Sequence, residues 1–179
     1  TRSMKLETWL NQARTKLKKS GISSWYQDAS SLAQHYLKLS DSEVILAEKE
    51  LGRTDLSELE SALCRRLKLE PLAYILNRAS FYGRDFYVDK RVLIPRPETE
   101  QLISFILSLN LNSPRIIDVG TGSGVIGLSL ALEIGNSKID LLDISPYALE
   151  VAELNAKAMG PAITTNESEL KFCQTDLLE

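Results

Sequence analysis

Along the first eighty residues apolar positions recur at three- and four-residue intervals, the period of an amphipathic helix. Leu6, Trp9, Leu10, Ala13 and Leu17 form one stripe, with Lys16, Lys18 and Lys19 in its last turn and Gly21 as its stop. Trp25, Ala29, Leu32, Ala33, Tyr36 and Leu37 form a second, with His35 off the stripe and therefore read as solvated. Ser40-Asp41-Ser42-Glu43 reads as a capping box opening a third helix, through Val44 and Ala47 to Leu51, with Gly52 as its end. Ser57-Glu58-Leu59-Glu60 reads as another box, and Leu59, Leu63 and Leu67 follow at four-residue steps. The basic run Arg65, Arg66 and Lys68 then reads as the solvated face of that helix, and Pro71 opens one more turn over 72–76. From Asn77 to Leu93 the pattern changes. Phe81, Tyr82, Phe86, Tyr87, Val88, Val92 and Leu93 are β-prone, with Gly83-Arg84 and Asp89-Lys90 as turn candidates.

Beyond this hairpin, Pro95 and Pro97 hold the chain extended, and Pro97 can begin a helix with an acidic first turn. Leu102, Ile103, Ile106 and Leu109 carry its apolar face. The stretch 115–143 reads as strand, glycine turn, helix and second strand. Ile116 and Ile117 form a short apolar run suited to a buried parallel strand. Gly120, Gly122 and Gly124 interrupt regular structure, and 125–134 is an apolar run without proline. Residues 139–142 form the next apolar run, closed by Asp143. An acid at the end of the second strand, about 20 residues after the glycines, is placed for a ribose diol. Ser145 and Pro146 form an N-cap and N1 pair for a helix over 148–159, ending at Gly160. A polar loop over 161–168 follows, then a strand over 170–175 with Asp176 at its end, within reach of an adenine.

Which ligand this unit takes turns on one residue. Gly122, Gly124 and Gly127 match the dinucleotide fingerprint G-x-G-x-x-G. Asp118, however, stands two residues before the first glycine, where a carboxylate repels a docking pyrophosphate. A ligand with a sulfonium and an ammonium and no phosphate suits that charge better. The run Asp118-Val119-Gly120-Thr121-Gly122-Ser123-Gly124 resembles motif I of the class I S-adenosylmethionine-dependent methyltransferases.

Composition narrows the classes further. The 179 residues, 44% apolar, suffice for one large or two small domains. No run of 18 uncharged apolar residues suggests a membrane span. Cys64 and Cys173 match no metal spacing and are expected as buried free thiols in a reducing compartment. With His35 the sole histidine, neither a metal site nor a histidine base is expected. Residues 1–80 hold 13 Lys+Arg against 10 Asp+Glu, and residues 81–179 hold 8 against 14. A surplus of +3 is too small to argue for nucleic acid, but the change of sign supports a boundary near residue 80.

The segments PLAYIL and FYGRDFYVDKRVLIPRPETE, followed by DVGTGSG, resemble the HemK/PrmC family of protein-glutamine N-methyltransferases over essentially the whole chain. Asn77 departs from the glycine expected after YIL, and asparagine is the next best residue in the left-handed region. The resemblance implies an α/β protein: an N-terminal helical bundle over 4–76 for release-factor recognition, a β-hairpin linker over 77–94, and the first half of a Rossmann-like methyltransferase domain over 95–179. It implies S-adenosyl-L-methionine as cofactor, held by Gly120, Thr121, Gly122, Ser123, Gly124, Asp143, Asp176 and Leu177. It also implies a cytoplasmic enzyme that methylates the glutamine in the Gly-Gly-Gln loop of class I peptide-chain release factors, with no nucleic-acid or membrane partner. The family's Asn-Pro-Pro-Tyr clamp for the substrate amide does not occur in the chain. On this reading the chain is truncated ahead of it, holds no catalytic residue and is inactive alone. Two other functions compete. A methyltransferase acting on adenine in nucleic acid would share the clamp but should carry a basic channel. A non-catalytic fragment would bind a partner through its bundle and take no cofactor.

Overall fold

The computed structural model describes residues 3–176. Its contacts divide the chain into two compact units, between Leu76 and Asn77.

In the first unit, helix α1 (Leu6–Lys19) buries Leu6, Trp9, Leu10, Ala13 and Leu17, the stripe expected from the period. Helix α2 (Trp25–Leu37) buries Ala29, Leu32, Ala33 and Leu37 against it. The third helix is shorter than its sequence suggests. The box at Ser40 and Glu43 forms, but α3 (Asp41–Leu46) ends where Ala47 turns left-handed at φ 51°. The residues after it are needed elsewhere. The carbonyls of Ala47 and Lys49 accept the N–H groups of Glu7 and Leu6, donors at the start of α1 that have no partner within their own helix. Glu50–Leu51 (β2) pairs antiparallel with Met4–Lys5 (β1). Gly52 accordingly caps the next helix and does not close the third. Helix α4 (Arg53–Leu67) begins there, with the Gly52 N–H donating to Asp55 Oδ2 at 3.1 Å, and the box at Ser57 is not its start.

The basic run is not a solvated face either. Arg66 Nε donates to Asp28 Oδ2 at 2.7 Å, and Asp28 is only 3% exposed within the stripe of α2. Arg65 makes a two-pronged bond to Glu70 at 2.7 and 2.8 Å. An aspartate beside Ala29 and Leu32 tolerates burial because the guanidinium pairs it. Helix α5 (Leu72–Leu76) closes the unit, its Ile75 carbonyl accepting from Tyr36 Oη at 3.3 Å. Both cysteines are free and neither is buried: Cys173 is half-buried, and Cys64 is exposed because it falls on the outer side of α4 from Leu59, Ala62 and Leu63.

The second unit opens with the hairpin β3 (Ala79–Phe81) and β4 (Arg84–Phe86). Tyr82 and Gly83 form its two-residue turn with φ of 48° and 72°, one position earlier than Gly83-Arg84. Phe81 and Phe86 meet edge to face at 6.2 Å and sit in this unit's core. Asn77 is left-handed at φ 49°, and its Nδ2 donates to the Val88 carbonyl.

A 3-10 turn (Pro97–Thr99) leads into α6 (Glu100–Ser108). Glu100 accepts the Tyr82 N–H at 2.8 Å and so ties the helix start to the hairpin turn. Ile103 is buried and Ile106 half-buried, whereas Leu102 and Leu109, expected on the same face, are 44% and 51% exposed. Strands β5 (Arg115–Val119), β6 (Lys138–Asp143) and β7 (Glu169–Gln174) form one parallel sheet in the order β5-β6-β7. Helix α7 (Val125–Ile134) joins the first two strands and α8 (Pro146–Thr165) the last two, a Rossmann-like α/β arrangement. Ile139, Leu141, Leu128 and Leu130 form the centre of the core, while Ile117 and Val119 of β5, at one edge of the sheet among the described residues, are exposed.

Helix α8 overruns its expected end. It continues through Gly160 and Pro161 to Thr165, although proline interrupts the helical bonding. Burying Ile163 compensates, and Asn166 Nδ2, just past the helix end, donates to the Leu132 carbonyl. Among the described residues, no helix is long and apolar enough to cross a membrane, and no group of His, Cys, Asp or Glu is arranged to hold a metal.

Candidate functional site

Three parallel strands end together, and beyond their carboxyl ends lies a cleft of about 220 Å³. Val119 and Gly120 at the end of β5, Leu142, Asp143 and Ile144 at the end of β6, and Thr175 and Asp176 after β7 line it. Such a crevice is where open α/β sheets bind ligands. Of the residues singled out in the sequence, Gly120, Asp143 and Asp176 face it. Thr121, Ser123 and Gly124 turn inward and build the loop, and Gly122 bridges the two sets. Leu177 lies outside the described residues.

Asp143 holds the loop in place. Its Oδ2 accepts the Gly122 N–H and its Oδ1 the Ser145 N–H, both at 2.9 Å. Each oxygen retains capacity for a further donor. Thr121 N–H donates to the Leu142 carbonyl, and Gly124 N–H to the Thr121 carbonyl. The turn therefore owes its shape to the second strand as much as to its own glycines.

Asp118 has a role that its position in the sequence did not show. It is 7% exposed, and its Oδ2 accepts from Thr121 Oγ1 at 2.8 Å and from the Gly127 N–H at 2.9 Å. It thus caps the start of α7 and anchors the turn. Burial pushes its carboxyl above the usual carboxylate range, the bonds from Thr121 and Gly127 pull it down, and the charge of Asp143 pushes it up again. With Asp143 and Asp176 on its lining, the cleft favours a cation over a phosphate.

The glycines serve different needs. Gly120, Gly122 and Gly124 all have positive φ, at 69°, 56° and 83°. A Cβ on Gly120 would meet nothing within 4 Å, since the glycine faces open space at the cleft. On Gly124 it would lie 2.9 Å from Leu128 Cδ1 and 3.2 Å from Ala152 Cβ. On Gly127 it would lie 3.1 Å from both Asp118 Oδ2 and Leu141 Cδ2, so this glycine lets helix and strand approach. Gly124→Ala should therefore destabilise by about 2–5 kcal/mol, combining left-handed strain with overpacking. Gly120→Ala should cost only the strain, about 1–2 kcal/mol. Denaturant unfolding of the two variants checks the difference. Equal costs would place Gly124 in a looser setting than its contacts imply.

Asn155, in the middle of α8, was not singled out from the sequence. It is 2% exposed, and its Nδ2 donates to the Ser123 carbonyl at 2.8 Å and the Tyr87 carbonyl at 3.0 Å. Its Oδ1 accepts the Tyr87 N–H at 2.7 Å. The one available signal was a polar residue between Ala152 and Ala156 on an otherwise apolar face. Further along the hairpin exit, Arg91 donates to Asp89 and to Glu150 of α8, and holds the Asp89 carboxyl down to about 2.

Residues 8–76 match the family model described as the PrmC N-terminal domain. Residues 98–177 match the methyltransferase small domain. A release factor glutamine methyltransferase of Koribacter versatilis is 43% identical over 73% of this chain and 45% of its own length. One from Leptospira interrogans is 37% identical over 95% of this chain and 59% of its own. A bifunctional methyltransferase of Rickettsia bellii is 38% identical over 84% of this chain and 32% of its own. The chain thus spans about a third to three fifths of the length of these curated relatives.

Proposed function

From a chain that belongs to the HemK/PrmC family of protein-glutamine methyltransferases, we propose the cofactor-binding part of an enzyme that methylates release factors. The transfer goes from S-adenosyl-L-methionine to the glutamine side chain of the Gly-Gly-Gln motif in class I peptide-chain release factors, in the cytoplasm. The substrate follows the relatives' names; the cofactor rests on this chain's own geometry. One observation carries it: Asp143, at the end of the second strand, gathers the glycine turn into a cleft shared with Asp176.

The residues present fit such a cofactor. Gly120 offers backbone without a Cβ at the cleft, Asp143 retains acceptor capacity for two ribose hydroxyls, and Asp176 stands at the opposite wall for the adenine. The Asp143 and Asp176 side chains on the cleft lining favour a cationic ligand over a dinucleotide's pyrophosphate. The cofactor supplies an electrophilic methyl group on its sulfonium. An amide nitrogen is a weak nucleophile because its lone pair is delocalised into the carbonyl, so alignment supplies much of the catalysis. We assign the bundle over 4–76 to release-factor recognition, where binding energy remote from the amide can serve that alignment.

Titration calorimetry tests the cofactor part. The chain should bind S-adenosylmethionine and its demethylated product and should not bind NAD; the reverse preference overturns the reading. Transfer is tested with a chimera that completes the chain to the length of its relatives. Labelled methyl should enter the glutamine of a Gly-Gly-Gln release factor. Label entering DNA adenine instead would favour the nucleic-acid reading.

A further inference from the structure

Burying an amide side chain in a helix face costs free energy unless its polar atoms are matched. Asn155 is buried and matched in a specific way. Its two N–H groups are used on two carbonyls from different segments, Ser123 in the glycine turn and Tyr87 at the exit of the hairpin, and its oxygen takes the Tyr87 N–H. A residue that only filled the gap between α8, the turn and the hairpin exit would need none of these bonds. The bond to Ser123 also falls at a sensitive point. It fixes the carbonyl of the peptide that enters Gly124, where the turn passes into α7 through a left-handed residue. On the other side the Tyr87 segment is not loose: Tyr87 Oη donates to Asp89, and Arg91 links Asp89 to Glu150, more than one turn earlier on α8.

We propose that Asn155 is a positioning residue that sets the shape of the glycine turn by holding the Ser123 carbonyl, and couples that shape to the hairpin exit through Tyr87. The proposal rests on the cofactor reading above for its functional consequence and on the hydrogen bonds alone for its structural one. Asn155 touches no reacting atom; it acts through the turn.

Asn155→Ala and Asn155→Asp separate this role from space filling. The aspartate substitution keeps the shape of the side chain but, ionised, sets a carboxylate against two carbonyl oxygens. At neutral pH the affinity for S-adenosylmethionine should fall from the unaltered chain to Asn155→Ala to Asn155→Asp, with the alanine variant about tenfold weaker than the unaltered chain. As pH falls and the introduced carboxyl takes up a proton, it regains one donor. The deficit of Asn155→Asp relative to the unaltered chain should shrink, while that of Asn155→Ala stays constant. Space filling would instead rank Asn155→Asp above Asn155→Ala at every pH, and that order overturns the proposal. Should the aspartate variant fail to fold at neutral pH, its melting temperature across pH carries the same test. A gap to the unaltered chain that does not close on acidification is the negative result.

Amide exchange without ligand supplies the independent arm. Thr121 and Gly122 donate to Leu142 and Asp143, not to Asn155. Their amides should exchange about tenfold faster in Asn155→Ala while the β5–β6 ladder keeps its protection. Unchanged protection of both overturns the proposal. If the unaltered chain binds no S-adenosylmethionine, the cofactor reading falls, and the exchange result still decides the role of Asn155.

Discussion

Replacing Asp143 with alanine should weaken binding of S-adenosylmethionine about a hundredfold or more. Two effects coincide. On the proposed function, the carboxylate's hydrogen bonds to the ribose are lost, charge-assisted and worth about 1.5–3 kcal/mol each. The substitution also releases the Gly122 and Ser145 N–H groups that Asp143 holds at 2.9 Å, so the turn loses the tether that shapes it. One lost bond alone gives roughly tenfold, and the second effect multiplies it. Folding should survive, because Asp143 is only half-buried and both freed N–H groups can turn to water. Calorimetry together with a melting curve checks both halves. Wild-type affinity in a folded variant would remove Asp143 from the site.

The second large effect lies in the other unit. Arg66→Met should destabilise the bundle by about 3–5 kcal/mol, since it leaves Asp28, 3% exposed, as an uncompensated buried charge. Against a total stability of about 5–15 kcal/mol for a typical domain, that is a large fraction. Pairing it with Asp28→Asn should recover much of the loss, because the neutral amide no longer needs the guanidinium. A double-mutant cycle by denaturant unfolding measures the coupling. A single-variant cost under about 1 kcal/mol, the scale of a surface pair, would show that water reaches the aspartate.

These two sites also show what could be read in advance. The glycine turn and Asp143 were legible because their chemistry is local: glycine spacing, a strand period, and an acid at a strand end. The stripe of α1 was legible for the same reason. What failed were features decided by distant segments. Nothing near Ala47 stops a helix; it stops because the segment through Leu51 supplies carbonyls to α1 and a strand to Met4 and Lys5. Pro161 is a sound local stop, overridden by the burial of Ile163. Arg66 was assigned to solvent because its partner lies 38 residues away on another helix. Asp118 reads in the sequence as a charge facing the ligand, whereas its hydrogen bonds run to the protein's own Thr121 and Gly127 and it lies buried behind the turn.

Strand β5 bears on how the chain behaves in concentrated solution. Among the described residues it is one of the two outer strands of its sheet, and Ile117 and Val119 are more than half exposed along it. A strand with an open edge and apolar side chains is a template on which a second molecule can add its own strand. Arg115, at the start of β5 and 71% exposed, sets a charge against such stacking at one end of the strand. Crowding of the chain, as during high-level expression, should therefore lead to association along this edge, and a lysine in place of Ile117 would oppose it without altering a residue of the cleft.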